Sequence, residues 1–445
     1  MEPEAESLGY FSEKNLLAEK RASLLRRCIP PMPGSTSPPP ANGAPARIGV
    51  FPGPFLDPRH RTPNRWYSKI DKEKRAHLRS EGWCVIDDFC GNGKDLADGN
   101  EVGDAPGTTG ATLGDTLGDM SLSNNKTQTT SNHWATALRS EIAWLSTSGR
   151  LGPNRTHFQN QQSGTRFLFA KPNVFEADLH DESIRATVPE LDFFFETVKN
   201  TLPRAFKKAS TGVGTGNETQ DENTNDDDEF PFPDFARLAS GDQARTVKVQ
   251  HNRGKGGCFP SHYDNPGGGS KRFLTCILYL NPIWTEGDGG ELVVTPFLRA
   301  PVTIQPKHDR LAVFYSDRVL HSVNGFNGTD RFCLTVWLDA LAGTVNLPQH
   351  VALKLNPEDV KGGVEVLATK LLARPAQRSV SRAVYREEYL ASLRSCMEGH
   401  PGFEEMRASH ESTVERFKAN KPLWGLVEQL RKVKAFREMT GERVV

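Results

Sequence analysis

The sequence has 445 residues, which is room for about two or three average domains. Its 55 basic and 55 acidic side chains cancel, so no overall field favours nucleic acid or an anionic membrane as a partner. No apolar run reaches the roughly 18 residues of a transmembrane helix, and the first residues lack a basic-then-apolar secretory signal. Seven cysteines without paired or CxxC spacing favour a reducing compartment, cytoplasmic or nuclear, over a disulfide framework.

The chain is expected to begin with a tail. Residues 1–60 are predicted to be mostly disordered, with one short helix over residues 12–27, because the Pro-, Gly-, Ser- and Ala-rich stretch 30–45 cannot bury a core. The folded domain is predicted to span residues 61–340. It opens with a charged helix over 69–81 and a strand over 82–89.

Two low-complexity segments, residues 91–131 and 210–229, are predicted to be disordered insertions. The elements expected between them are a helix over 134–148, a loop over 149–158, a short strand over 166–169 and a helix over 189–208. In the first helix the apolar side chains recur at helical spacing, which favours core packing over a cofactor site.

Residues 246–339 carry the strongest pattern. Strands rich in β-branched and aromatic residues are predicted over 246–250, 273–280, 290–294, 310–315 and 331–338. Turns rich in Gly, Asn and Asp separate them. This pattern predicts an α+β protein with a double-stranded β-helix core, a jelly-roll variant whose interior can hold a site. The glycines at 254, 256 and 257 lack a GK[ST] ending, which favours a mobile loop beside the site over a phosphate loop.

Residues 341–445 are predicted to form a helical C-terminal extension. Its helices are expected over 364–372, 382–395, 403–418 and 423–436. The extension is expected either to pack on the sheet or at a dimer contact, or to act as a separate substrate-recruiting module.

Three side chains within this core have the spacing of metal ligands. His262 and Asp264 are two positions apart, so on a strand they would share one face. His321 follows about sixty residues later, after the predicted strands that would bring it back beside the first pair. Two imidazoles and one carboxylate occupy one face of an octahedron and leave open positions, which is the pattern of Fe(II) oxygenases.

Arg331 begins the last predicted strand, where a guanidinium could hold the far carboxylate of 2-oxoglutarate with two hydrogen bonds. Tyr279 and Thr335 could donate hydroxyl hydrogen bonds to the same group. Taken singly, each residue has an ordinary explanation: HxD pairs occur by chance, His321 could be a surface or core histidine, and Arg331 could form a salt bridge. The combination favours a site.

Several phrases carry a family resemblance: His262-Tyr263-Asp264-Asn265-Pro266, Thr275-Cys276-Ile277-Leu278-Tyr279-Leu280-Asn281, Gly289-Gly290-Glu291-Leu292, Tyr315-Ser316-Asp317-Arg318 and Thr335-Val336-Trp337. With these phrases the sequence resembles the 2-oxoglutarate- and iron-dependent prolyl hydroxylases, most of all their hypoxia-sensing, cytosolic branch. The resemblance covers about residues 246–339.

The resemblance implies that His262, Asp264 and His321 bind iron and that Arg331, assisted by Tyr279, binds 2-oxoglutarate. It places Arg272 and Trp337 at the entrance used by the target proline. The implied cofactors are Fe(2+), 2-oxoglutarate and O2, with L-ascorbate as an auxiliary reductant. The implied products are succinate, CO2 and a hydroxylated proline in a protein or peptide partner.

Two alternatives stay open at this point. The same metal ligands would serve a hydroxylase that acts on another residue or on a small molecule, or a catalytically silent binding scaffold with the same fold. The carboxylate of Asp264 favours hydroxylation over halogenation, because a small residue there would open a position for halide. The oligomeric state and the identity of the substrate do not follow from the residues.

Overall fold

The computed structural model describes residues 49–53, 56–61, 63–91, 133–159, 166–207, 231–241, 245–265, 267, 269–341, 362–372, 374 and 377–440. These residues lie in one compact unit, Gly49–Val445. Predictions for the helix over 12–27 and for most of the tail and both insertions fall outside the described residues. Residues 49–53, within the predicted tail, contact the folded unit, since Phe51 N donates a hydrogen bond to Thr187 O at 2.9 Å.

Eleven strands are described: β1 Trp83–Ile86, β2 Gly152–Gln159, β3 Arg166–Asp178, β4 Arg245–Asn252, β5 Gly257–His262, β6 Arg272–Tyr279, β7 Leu292–Pro296, β8 Val302–Ile304, β9 Arg310–Tyr315, β10 Val319–Phe326 and β11 Arg331–Asp339. They form two antiparallel sheets. The larger has the order β1-β9-β6-β11-β4-β3-β2 and the smaller has the order β5-β10-β7-β8. Side chains of both sheets share one hydrophobic core, as expected for a jelly roll.

Ten α-helices are described: α1 Trp66–Lys69, α2 Lys72–Glu81, α3 Trp134–Thr147, α4 Glu182–Arg185, α5 Pro189–Lys207, α6 Gly363–Leu372, α7 Gln377–Val384, α8 Arg386–Met397, α9 Phe403–Ala419 and α10 Lys421–Thr440. The helices α3 and α5 cover the outer face of the larger sheet through buried apolar side chains. Trp66 stacks between Phe89 and Trp134, with ring centroids 4.9 and 5.9 Å away. The predicted α+β jelly roll with supporting helices and a helical extension is confirmed.

Four local predictions differ from the structure. Residues 149–158, predicted to be a loop, contain most of β2, and the strand predicted over 166–169 continues to Asp178. The two pair as a long hairpin at the edge of the larger sheet, where a proline is tolerated. The predicted mobile glycine loop leads directly into β5 at Gly257. The single helix predicted over 382–395 is two helices, α7 and α8, that meet at Tyr385.

One pair of cysteines forms a disulfide, although the cysteine spacing favoured a reducing compartment. Cys258 in β5 and Cys396 in α8 form a disulfide, although 138 positions separate them in the sequence. Their Cα atoms are 5.5 Å apart, within the usual range. Cysteine spacing could not predict this pair, because only the packing of α8 on β5 brings the two together. No helix among the described residues is long and apolar enough to cross a membrane.

Candidate active site

The two histidines face each other across adjacent strands. His262 ends β5 and is the register partner of His321 in β10, and the ring centroids are 4.3 Å apart. Each Nδ1 lies near the carbonyl oxygen two residues earlier: Pro260 O at 2.7 Å for His262 and Val319 O at 3.3 Å for His321. Donation from Nδ1 to a carbonyl leaves the Nε2 lone pair free for a metal. The distant histidine is thus brought beside the first, as predicted.

Asp264 completes the group from a turn rather than from the strand. Beta-strand β5 ends at His262, so the predicted strand alternation does not extend to Asp264. Its Oδ2 accepts two hydrogen bonds, from Thr275 Oγ1 at 2.8 Å and from Trp337 Nε1 at 2.9 Å. Thr275 and Trp337 are register partners on β6 and β11. These two donors turn the other oxygen, Oδ1, towards the histidines.

The separations within this group fit one bound metal ion. Asp264 Oδ1 lies 3.4 Å from His262 Nε2 and 3.6 Å from His321 Nε2. Ligands bound at right angles with bonds of about 2.1 Å are separated by about 3 Å, so a small adjustment would seat an ion between them. The group is one of two in the described residues whose donor atoms all lie within 4.8 Å of one another.

The electrostatics favour the metal-binding protonation states. Burial lowers the pKa of His262, and the neighbouring His321 lowers it further, so the imidazole is held neutral. Burial acts to raise the pKa of Asp264, but the adjacent His321 and His262 outweigh it and hold that pKa well below the usual range. Neutral imidazole and ionised carboxylate are the forms that bind divalent metals.

Arg331 lies deeper in the barrel, at the start of β11. Its side chain is only 3% exposed, and its Nε donates to Gly290 O at 2.9 Å. Gly290 has φ +77°, and a Cβ there would lie 2.9 Å from Arg331 Cδ, so a glycine makes room for this guanidinium. No carboxylate of the described residues forms an ion pair with Arg331. A buried cation without a counter-ion is costly unless an anion joins it.

Tyr279 supplies a second unsatisfied group at the same place. Its ring lies 5.1 Å from the guanidinium carbon of Arg331, and its hydroxyl is fully buried without a hydrogen-bond partner in the described part of the chain. Burial raises the pKa of this phenol, against the opposing effect of Arg331, so the O–H stays a donor. Thr335 is buried four residues further along β11, on the face that carries Arg331. A guanidinium and a phenol together fit a carboxylate.

Comparison with known proteins points to one family. The model of the 2OG-Fe(II) oxygenase superfamily matches residues 247–339. A prolyl 4-hydroxylase structure from Phytophthora capsici is 34% identical, with a TM-score of 0.61, and the match covers 87% of this chain and 99% of that one. This chain belongs to the prolyl 4-hydroxylase family.

Two human proteins are similar to part of this prolyl 4-hydroxylase family member. Egl nine homolog 1 is 42% identical and prolyl hydroxylase EGLN3 is 39% identical, each over 87 residues or 19% of this chain. The match covers 20% of the first protein and 36% of the second. The chain therefore matches about a fifth to a third of the length of these curated relatives. The family implies Fe(2+), 2-oxoglutarate and O2.

Arg272 and Trp337, predicted to line the entrance for the target proline, both contact Asp264. Arg272 Nη1 donates to Asp264 O at 3.1 Å, and its guanidinium lies 4.3 Å above the Trp337 ring. Together with the Trp337 hydrogen bond to the carboxylate, these contacts give both residues a part in orienting a metal ligand. Their contact with substrate stays a prediction.

Two functional residues were missed from the sequence. Thr275 holds the Asp264 carboxylate; it begins one of the motifs that carry the family resemblance, but no role was predicted for it. Lys171 in β3 places its ammonium 4.0 Å from the Phe259 ring. Burial lowers the pKa of Lys171 to about 8, although the charges of Glu176 and Asp264 oppose this. Its position beside the metal ligands could not be predicted, because β3 was predicted to be much shorter.

A second group of potential metal ligands, Asp88, His133 and Asp309, lies in another part of the fold. Here the carboxylates already contact protein groups. Asp88 Oδ2 lies 2.9 Å from Lys69 Nζ, Asp309 Oδ1 accepts from Cys90 N, and Asp309 Oδ2 lies 3.2 Å from His133 Nε2. We interpret this group as an ion-pair network that ties the start of α3 to the strand region.

Proposed function

We propose that this chain is an Fe(II)- and 2-oxoglutarate-dependent dioxygenase that hydroxylates a prolyl residue of a protein or peptide and releases succinate and CO2. The assignment to proline is supported by 34% identity across 99% of the Phytophthora capsici prolyl 4-hydroxylase structure. It is also supported by the similarity of the core to prolyl hydroxylase EGLN3.

The observation that carries the proposal is a buried pair: Arg331, which has no carboxylate partner among the described residues, and Tyr279, whose hydroxyl has no hydrogen-bond partner there. A metal-binding scaffold would need only the two histidines and Asp264. It would have no reason to bury a guanidinium without a carboxylate partner beside a phenol without a hydrogen bond. A dicarboxylic acid satisfies both ends of the site, because one end chelates the metal and the other meets the guanidinium.

In this account the iron with its cosubstrate supplies the oxidative chemistry, and the protein supplies position and protonation. Thr275 and Trp337 aim Asp264 Oδ1 at the metal position. Pro260 O and Val319 O fix the proton on the outer nitrogen of each histidine. His321, Arg331 and Tyr279 are buried, and the low dielectric constant of a protein interior strengthens their charge interactions. His262, 37% exposed, marks the open side from which a peptide can approach.

The proposal can be tested with proline-containing peptides incubated with the chain, Fe(II) and 2-oxoglutarate. We expect succinate release together with the gain of one oxygen atom on a proline, detected by mass spectrometry. Asp264→Ala and His262→Ala should abolish both products. His400→Ala, at an exposed histidine in the loop after α8, is the matched control and should retain both.

Two outcomes would contradict the proposal in different ways. Succinate release coupled to oxidation of another residue or of a small molecule would retain the dioxygenase and refute the proline assignment. Absence of succinate with every substrate tested, from protein that binds the metal, would favour the catalytically silent scaffold.

A further inference from the structure

The C-terminal helices α7 and α8 contact the segment that carries two of the metal ligands. Along residues 261–265, His262 and Asp264 face the metal position, and the residues between and beside them face away. Each of these outward residues, Ser261, Tyr263 and Asn265, is hydrogen-bonded to a residue of the extension. The extension therefore contacts residues 261–265 on the side opposite the metal position.

The contacts on the first two outward residues are well defined. Ser261 N donates to Ser392 Oγ of α8 at 2.7 Å. Ser381 Oγ of α7 donates to Gln377 O at 2.7 Å. The Tyr263 hydroxyl is hydrogen-bonded to Ser381 Oγ at 2.6 Å and lies 3.3 Å from Gln377 Oε1. Gln377 and Ser381 are fully buried, so this hydrogen-bonded chain is shielded from water and has little freedom to shift.

Asn265, the third outward residue, is hydrogen-bonded to Arg378, and a disulfide lies a few residues earlier in β5. Arg378 Nη1 of α7 donates to Asn265 O at 2.5 Å and lies 3.2 Å from Asn265 Oδ1. The Cys258–Cys396 disulfide fastens the same strand to α8. Four attachments thus fall within eight residues, 258–265, that include both ligands.

These attachments matter because Asp264 lies beyond the end of β5, so strand pairing does not fix its backbone, although Thr275 and Trp337 hold its carboxylate. The β5–β10 register ends at the His262–His321 pair. Beyond it, separate hydrogen bonds hold the backbone: Asn265 N donates to Ser316 O at 3.0 Å, and Arg272 Nη1 donates to Asp264 O at 3.1 Å. A shift of the turn would carry the Asp264 carboxylate away from the two imidazoles. Residues that orient metal ligands commonly change metal affinity by about 10- to 100-fold when removed.

We propose that α7 and α8 form an outer support that sets the position of Asp264, with Tyr263, Ser381 and Arg378 as positioning residues for the metal site. This inference rests on the proposed metal-dependent function. It assigns the extension a part in the catalytic unit itself rather than a detached substrate-recruiting role.

The test is the affinity of the full, metal-free chain for Co(II), followed by the visible absorption of the bound ion, with thermal unfolding measured in parallel. We expect Tyr263→Phe, Ser381→Ala and Arg378→Met each to weaken Co(II) binding by about tenfold or more and to alter its spectrum. Ser381→Thr, which keeps the hydroxyl, should restore binding. Arg382→Met is the matched control, since Arg382 is an exposed arginine one turn further along α7, and it should bind Co(II) like the wild type.

The Co(II) measurements distinguish a failure of this inference from a failure of the proposed function. Unchanged Co(II) affinity and spectrum in all three variants would overturn the inference and leave the proposed function standing, even if the melting temperatures fall. If the wild-type chain itself bound no Co(II), both the proposed function and this inference would be wrong.

Discussion

Replacing Trp337 by Phe tests whether this residue orients Asp264 or only lines the entrance for the target proline. Its indole N–H donates to Asp264 Oδ2 at 2.9 Å, and its ring, only 8% exposed, lies under the Arg272 guanidinium. A phenyl ring keeps most of the apolar contact and cannot donate. Hydrogen bonds to charged groups contribute about 1.5–3 kcal/mol, which corresponds to a loss of about 10- to 100-fold in metal affinity.

The assay measures the dissociation constant for Co(II) and, separately, the KM for a peptide substrate. If Trp337 orients Asp264, Trp337→Phe weakens metal binding by the stated factor. Trp424→Phe, at a tryptophan of α10, is a control for the loss of an indole. A variant that binds Co(II) normally and changes only the peptide KM would refute the orienting role and leave Trp337 as an entrance residue.

Three further predictions concern other parts of the molecule. Arg331→Lys should raise the KM for 2-oxoglutarate by about tenfold or more in a succinate assay, because a lysine cannot form the two parallel hydrogen bonds to a carboxylate. Tyr279→Phe should raise this KM less. An unchanged KM in both variants would show that neither residue binds 2-oxoglutarate. Cys396→Ser should lower the free energy of unfolding by about 2–4 kcal/mol in urea under non-reducing conditions, and an unchanged midpoint would show that Cys258 is unpaired in solution. Burial raises the pKa of Glu141 to about 8, so the folded state keeps a proton that the unfolded state has lost. Stability should therefore fall from pH 5 to pH 8 by up to about 1.4 kcal/mol per unit, and Glu141→Gln should flatten that slope.

The site was predictable from the sequence where its chemistry is local and its residue types are distinctive. His262, Asp264 and His321 carry a ligand pattern that few other arrangements explain, and the strands between them have clear β patterns. Arg331 and Tyr279 could be anticipated because their strands are strongly apolar, so that a charged or phenolic group within them stands out. The structure brings the donor atoms of the first three within 4.8 Å of one another and buries Arg331 beside Tyr279.

What could not be predicted depends on contacts between distant segments. Thr275 is chemically ordinary, and only the β6–β11 register brings it to Asp264 beside Trp337. The edge strand β2 has a polar sequence with a proline, which a propensity argument assigns to a loop. The break between α7 and α8 falls at Tyr385, with no glycine or proline to signal it. Its cause is tertiary, since the buried Tyr385 hydroxyl accepts a hydrogen bond from Leu298 N at 2.6 Å.

The most direct test of the central claim follows the two atoms of isotope-labelled O2 in a reaction with a proline-containing substrate. If His262, Asp264 and His321 hold the iron and Arg331 holds 2-oxoglutarate, one labelled atom should appear in succinate and the other in hydroxyproline, in equal amounts. Hydroxyproline formed without labelled succinate, or labelled products that persist in the Asp264→Ala variant, would contradict it.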